Sequence, residues 1–291
     1  MKTGKIVVFG SFVVDLTSWA DHLPVPGETI KGSIFKMGPG GKGSNQGVAA
    51  SRAGANVTLV TKVGNDVFGQ IALEFYKSEN MTTDFIFVDS EKETGTALIM
   101  VDEKVGQNQI LVVSGACGNI TNNEIEKTYP LIDSAEIVLL QLEVNMDAIE
   151  KVVDYAHAKR KKIVLNTAPA CKLPASLLNK LDIVTPNEIE AGILTDMKVE
   201  TEEDAEKAAR ALMDSGVKNV VITMGKNGVF VMTPERKEMI PSMRVKAVDT
   251  TGAGDAFNGG FVTALSERKD IFEAARFGNA VGALSVTKIG T

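Results

Sequence analysis

Short aliphatic runs alternate along this chain with longer stretches in which apolar positions recur every three or four residues. Ile6 to Phe9 is an unbroken apolar run closed by Gly10, the pattern of a strand buried on both faces. Asn56 to Lys62 reads as a strand and Phe68 to Ser78 as the helix after it. Ile137 to Leu140 and Met146 to Lys159 repeat the pair. Further strands are predicted over Ile163 to Leu165, Ile183 to Thr185 and Val220 to Thr223. Helices are predicted to begin near Asn187 and Thr201, the second with Asp204 placed as in a capping box. Two helices rich in Gly and Ala follow, over Gly252 to Leu265 and Ile271 to Val286. The alternation predicts an α/β fold with a doubly wound, mainly parallel sheet flanked by helices.

Two segments break this rhythm, Phe12 to Met37 and Thr94 to Val113. Strand-like runs such as Ala97 to Val101 and Gln109 to Val113 follow one another there without helices between them. They predict a small discontinuous β-lid, formed by residues 12–37 and 94–113. The main α/β domain would comprise 1–11, 38–93 and 114–291. No internal repeat or low-complexity tract interrupts either part.

Composition narrows the classes. A chain of 291 residues with 44% hydrophobic content can bury a sizeable core. Lys and Arg number 31 against 37 Asp and Glu, a net charge of −6, so no global field attracts a polyanion and nucleic acid is not an expected partner. A local basic pocket for a small phosphate compound remains compatible with that balance. The two cysteines, Cys117 and Cys171, lack the spacing of a redox pair or a zinc site. The N-terminal apolar run is too short for a signal peptide or a membrane span, and the expected location is the cytoplasm.

The segment Val248 to Phe257 reads as a strand end passing through Gly252 and Gly254 into a helix. The amides of Gly252, Ala253 and Gly254 would be the donors of a helix start, lying at the positive end of its dipole, where a phosphate fits. Asp255 stands in the first turn and could take a hydroxyl proton; an aspartate there is also common for dipole reasons alone. Gly38 to Gly47 formally contains GxGxxG, but a dinucleotide fingerprint should follow the first buried strand, and this one follows a polar, interrupted stretch. It serves instead either as a turn bringing Lys42 and Asn45 to a polyhydroxyl ligand or as a tight helix entry. No GxxxxGK[ST] string occurs, so any ATP site is built otherwise. Thr223 to Gly228 is a strand followed by a turn that fits a nucleotide or a plain hairpin. Asn187 and Glu190 fit a magnesium-bound triphosphate or an ordinary cap. Glu143 follows the strand Ile137 to Leu140, at the end where doubly wound sheets bind ligands. The histidines, His22 and His157, form no triad or metal pattern, and no GxSxG elbow appears.

Taken together and in order, GGKGSNQ, QLE, TPNEIE and DTTGAGDAFNGGF resemble the PfkB-type carbohydrate kinase family, in its ribokinase branch, over nearly the whole chain. The resemblance implies a ribokinase-like fold and transfer of the γ-phosphoryl group of ATP to a primary sugar hydroxyl, most simply that of ribose. It implies Asp255 as the base and the amides from Gly252 through Ala253 to Gly254 as the anion hole. Asp15, Gly41, Lys42, Gly43, Asn45 and Glu143 match sugar-contacting positions. Asn187, Thr223, Gly225, Gly228 and Asn279 match nucleotide-side positions, and Glu190 the acidic residue associated with Mg2+ and phosphate. Asp249, Thr251, Ser285, Lys288 and Gly290 match a loop that holds a monovalent cation, usually potassium, chiefly through backbone oxygens.

Two departures from the family pattern bear on specificity. Val13 stands where ribokinases carry Asn, so a hydrogen bond to the sugar is expected to be missing, and a different pentose, a hexose or a nucleoside becomes an alternative acceptor. Relatives continue past the position of Gly290 through a loop and a helix, which predicts that part of the adenine pocket and cation loop lies outside this sequence. A non-catalytic sugar or nucleotide sensor on the same scaffold is the reading from a different class. A nicotinamide-dependent oxidoreductase would rest on the GxGxxG match alone and predicts NADH binding. Exposed edges on the β-lid predict a homodimer formed through it.

Overall fold

The structure is a computed structural model that describes residues 4–288 and 290; the outermost positions of the expected main domain, 1–3 and 291, lie outside the described residues, as does 289. Strand β1 (Lys5–Phe9) belongs to one sheet, and β2 (Val13–Ala20) and β3 (Ile34–Gly40) to another. Helix α1 (Lys42–Arg52), β4 (Asn56–Gly64), α2 (Val67–Ser78) and β5 (Ile86–Asp89) return to the first, and β6 (Thr94–Asp102) with β7 (Asn108–Gly115) completes the second. The chain then alternates through α3 (Asn122–Lys127), α4 (Tyr129–Ser134), β8 (Ile137–Leu140), α5 (Met146–Ala158), β9 (Lys162–Leu165), α6 (Ala175–Leu178), β10 (Ile183–Val184), α7 (Glu188–Thr195), α8 (Glu202–Asp214) and β11 (Asn219–Thr223). It ends in the hairpin β12 (Val229–Met232) and β13 (Lys237–Ile240), then α9 (Ala253–Ser266) and α10 (Ile271–Ser285).

Nine strands form the large sheet among the described residues, in the order β13-β12-β11-β10-β9-β8-β1-β4-β5. All neighbours are parallel except in the terminal hairpin, where β12 is antiparallel to both β11 and β13. In β1, Val7 and Phe9 face one core, with Ile125, Ile132 and Val153, while Ile6 and Val8 face the other, with Val48, Tyr76 and Phe261. Alternate residues of one strand thus feed both cores, so the strand must be apolar throughout. Helix α8 shows the complementary pattern: Ala205, Ala208, Ala209 and Leu212 are buried and form a single stripe. Helix α9 is buried nearly all round, and a Cβ at Gly259 would come within 2.6 Å of the Ala49 Cβ in α1, so close helix contact requires glycine there.

The second sheet has the order β3-β2-β6-β7, with a parallel pairing of β2 and β6 between two antiparallel ones. Its strands come from two pieces of chain far apart in sequence, Val13 to Gly40 and Thr94 to Gly115. The α/β architecture and most central elements match the periodicity. Helix α1 begins at Lys42, inside the glycine-rich Gly38 to Gly47 segment. Its first turns contain Gly43 and Ser44, poor helix formers, and tertiary acceptors satisfy the amides there. Lys42 N donates to Glu143 Oε2 at 2.8 Å, and Ser44 N donates to Ser11 O at 2.8 Å. Among the described residues, no helix is long and apolar enough to cross a membrane.

Candidate active site

Strand order reverses between β1 and β8: from β1 the sheet grows towards β4 on one side, and the later strands build outward from β8 on the other. The carboxyl ends of such a pair open a crevice. Phe9 and Leu140 are in register at that end, so Ser11 and Glu143, each shortly beyond its strand, face each other across the crevice. Ser11 Oγ donates to Glu143 Oε2, the oxygen that also accepts from Lys42 N. Ser11 Oγ in turn accepts from Gly43 N at 3.4 Å. Gly41, the N-cap of α1, has φ 92, and a Cβ on it would lie 2.9 Å from Val13 N. Only glycine lets the start of α1 pass that close to β2.

Asp15 reaches the same crevice from β2. Its carboxylate lies against Gly40, where a Cβ would come within 2.2 Å of Oδ1. Burial, helped by the negative charges of Glu143 and Asp255 and opposed by Lys42, pushes the Asp15 carboxyl up to about 6. Asp255 stands in the first turn of α9, with Gly252 as N-cap at φ 71, and is 8% exposed. Asn45 Nδ2 donates to Asp255 Oδ2 at 3.2 Å, and Gln46 Nε2 donates to Asp255 Oδ1 at 2.9 Å. Space is open beside Gly254, with no atom within 4 Å of a Cβ placed there. Ala253 N is drawn to Thr250 O at 3.2 Å, so an anion at this helix start would compete with Thr250 for that donor.

Lys42 joins the two halves of the site. Burial pushes its ammonium down, but Asp255, Glu143, Glu190 and Asp15 together raise it above the ordinary lysine value. Two of those carboxylates are expected sugar contacts, one is the expected base, and one belongs to the expected nucleotide side. The Lys42 ammonium thus lies in the field of carboxylates from both expected halves of the site.

On the nucleotide side, Asn187 pairs with Thr223 as an isolated parallel bridge, which brings the N-cap of α7 beside the end of β11. Asn187 and Glu190 form a complete capping box, with Asn187 N donating to Glu190 Oε2 and Asn187 Nδ2 to Oε1, both at 2.9 Å. Burial pushes the Glu190 carboxyl up, Asp255 and Glu188 add to this, and the Asn187 amide and Lys42 oppose it. Gly225 and Gly228 flank a 3₁₀ turn between β11 and β12. Gly228 is packed against Ile240 O, whereas a Cβ on Gly225 would meet only Glu188 Oε1, 3.8 Å away. Gly228 thus shapes the hairpin, and Gly225 presents open backbone. Asn279 on α10 donates to Pro241 O at 2.8 Å, bracing the chain after β13.

The five residues of the expected cation loop come together from two segments. Asp249 accepts from Thr251 N at 2.9 Å and from Gly290 N at 3.1 Å, and Lys288 N donates to Ser285 O at 3.2 Å. Burial raises the Asp249 carboxyl, but the Thr251 and Gly290 amides outweigh it and hold the group below the ordinary value. The carboxylate is engaged in holding the loop closed. Among the described residues, no three His, Cys, Asp or Glu side chains cluster as a metal site.

Ser11 and Gln46 were not among the expected site residues. Ser11 carried the same positional signal as Glu143, a polar residue just beyond a central strand. Gln46 lay within the GGKGSNQ run, but its role depends on contacts that no spacing reveals. A cavity of about 350 Å³ adjoins Asp255 and Asn45 between α1, α9 and α10, lined by Val48, Phe277 and Val281 among others.

The sequence model of a family described as pfkB family carbohydrate kinase matches residues 3–291. The chain is 41% identical over 285 residues to a ribokinase of Haemophilus influenzae, covering 98% of this chain and 93% of that one. It is 36% identical over 287 residues to a deoxyribokinase of Salmonella typhi, covering 98% and 94%. Among solved structures, Arabidopsis thaliana ribokinase complexed with ribose and ATP superposes with a TM-score of 0.90 at 29% identity, covering 100% of this chain and 95% of that one.

Proposed function

This chain belongs to the pfkB family of carbohydrate kinases, phosphotransferases with an alcohol acceptor, and we propose that it transfers the γ-phosphoryl group of ATP to the primary hydroxyl of ribose. The observation that carries the proposal is the Asp255 carboxylate in the first turn of α9, beside the open backbone at Gly254 and within the field of Lys42. Asp15, Glu143 and Asn45 orient the sugar, with Gly41 and Gly43 keeping the start of α1 close to it. Asp255 takes the hydroxyl proton as the oxygen attacks in line. The amides at the start of α9 and the Lys42 ammonium receive the charge on the phosphoryl oxygens.

Asn187, Thr223, Gly225 and Gly228 form the nucleotide side, and the open backbone at Gly225 fits a close approach by a polyphosphate. Mg2+ bound with ATP would neutralise charge on the phosphates, and Glu190 would be the carboxylate that holds it. We assign a monovalent cation, potassium, to the loop of Asp249, Thr251, Ser285, Lys288 and Gly290. There it would tune the helix start without touching the sugar. The four-stranded sheet, formed largely by residues 12–37 and 94–113, acts as a lid that excludes water.

A second copy of this chain is the proposed partner of that sheet. Its edge strand β7 exposes Ile110, Leu111, Val112 and Val113 in succession, so both of its faces are apolar, and Phe35 on the opposite edge strand is 62% exposed. A large exposed apolar area on a sheet marks an interface. The cytoplasm is the proposed location.

A second reading of the acceptor has its own support. Val13 is buried, its Cγ1 lies 2.9 Å from where a Cβ on Gly95 would be, and its backbone adjoins Gly41. An apolar side chain at this wall donates nothing to a sugar hydroxyl, which suits deoxyribose, the sugar in the name of a relative. An ATP-consumption assay over ribose, deoxyribose, ketohexoses and nucleosides separates the two readings, and turnover with none of them rejects both. In Asp255→Asn, turnover with the best sugar should fall by about 10²-fold or more with melting unchanged. Near-normal turnover in the folded variant rejects Asp255 as the base.

A further inference from the structure

The carboxylate of Asp255 is held by a neutral, buried relay whose central member is Gln46. The Gln46 side chain is 0% exposed, and all its polar capacity is directed. Nε2 donates to Asp255 Oδ1 and to Asn166 Oδ1, both at 2.9 Å, while Oε1 accepts from Gln141 Nε2 at 2.7 Å. An amide has two N–H donors, and both are spent here. Turning the amide over would set Oε1 against the Asp255 carboxylate and two NH2 groups against each other at Gln141. The carboxylate can only accept, so Asp255 and Asn166 fix which end of Gln46 meets them, and Gln141 satisfies the oxygen at the other end.

Asn166 is fixed in the same way. Its Nδ2 donates to Thr185 O at 2.7 Å, the Thr185 hydroxyl donates to Asn258 Oδ1 at 2.6 Å, and Asn258 Nδ2 donates to Gly254 O at 2.8 Å. The relay leaves the Asp255 carboxylate, runs past the ends of β8, β9 and β10, and returns to the backbone one residue before Asp255. Its side chains carry no charge, so it orients the carboxylate without neutralising it.

We propose that Gln46, locked by Gln141 and Asn166, is a positioning residue for phosphoryl transfer: it pins Asp255 Oδ1 and so leaves Oδ2, held only by the longer contact from Asn45, as the proton-accepting oxygen. The inference rests on the assignment of Asp255 as the base. Gln46 lies one helical step beyond the sugar-facing Asn45, with its side chain in the core, so it acts through Asp255 and not through the substrate.

The test compares steady-state kinetics of Gln46→Leu, Asp255→Asn, the double variant and Gln141→Met in the full chain, each with a thermal melt. Gln46→Leu should lower kcat by about 10- to 100-fold with both KM values within about threefold, the signature of an interaction realised in the transition state. On the Asp255→Asn background the same change should cost less than about twofold, because residues acting as a unit are not additive. Gln141→Met leaves the bond to Asp255 in place but unlocks the amide, and should lower kcat by about three- to tenfold with KM unchanged. Full multiplication in the double variant, or a Gln46→Leu enzyme within about threefold of wild-type kcat, overturns the inference. Where Gln46→Leu loses its cooperative melt, the Gln141→Met result decides alone, and wild-type kcat there overturns it. A fully active Asp255→Asn enzyme would instead overturn the base assignment itself.

Discussion

The Ser11 hydroxyl donates to the carboxylate of Glu143, joining two residues that follow the central strands β1 and β8 and lie 132 positions apart in sequence. The contact spans the point where strand order reverses. The same oxygen of Glu143 accepts the Lys42 amide, so one carboxylate ties both strand ends to the start of α1.

Glu143→Gln keeps an acceptor for Ser11 and Lys42 but removes the charge that, in the proposed role, is offered to sugar hydroxyls. The KM for the sugar should rise by about 10-fold or more, the scale of a lost hydrogen bond to a charged group, with ATP KM and kcat nearly unchanged. Initial-rate kinetics over both substrates check this.

Asp15 makes the site sensitive to pH. Its carboxyl, at about 6 against 3.8 for a free aspartate, ionises less readily in the folded chain. Its contribution to stability is therefore present in full below about pH 4 and is lost as pH rises through about 6. Asp15→Asn should melt higher than wild type above pH 6 and equally below about pH 4. Binding runs the other way: in the proposed role the ionised form accepts hydrogen bonds from sugar hydroxyls, so sugar KM should rise as pH falls from 7 towards 5, and this slope should flatten in Asp15→Asn. Melting curves and KM measured across that range check both.

Potassium should raise kcat over choline buffer by about fivefold, within the usual span of coupling between two ligand sites. Asp249→Ala frees the amides of Thr251 and Gly290 that hold the loop, and should reduce that activation to less than about twofold. Matched-ionic-strength assays distinguish a bound ion from general screening.

Phe35→Glu and Leu111→Glu place charge on the exposed apolar faces of the second sheet. Either should shift a dimer to monomer in sedimentation velocity without lowering the melting temperature by more than about 2 °C, since surface substitutions cost little. A wild-type chain that sediments as a monomer rejects the proposed interface.

The periodicity of the chain determined the α/β alternation, the central strands and the two arrhythmic segments, because burial on both faces demands apolar runs such as Ile6 to Phe9. Residue types marked the candidate motifs, since glycine and aspartate at a helix start carry a local signal at Gly252 to Asp255. What tertiary structure alone decided is which distant groups meet. The start of α1 at Lys42, the field of four carboxylates around its ammonium, and the Gln46 relay all depend on groups supplied from distant strand ends and helix starts. Propensity and spacing are properties of neighbours along the chain, whereas desolvation and hydrogen bonding across a crevice exist only once the strands have been ordered in space.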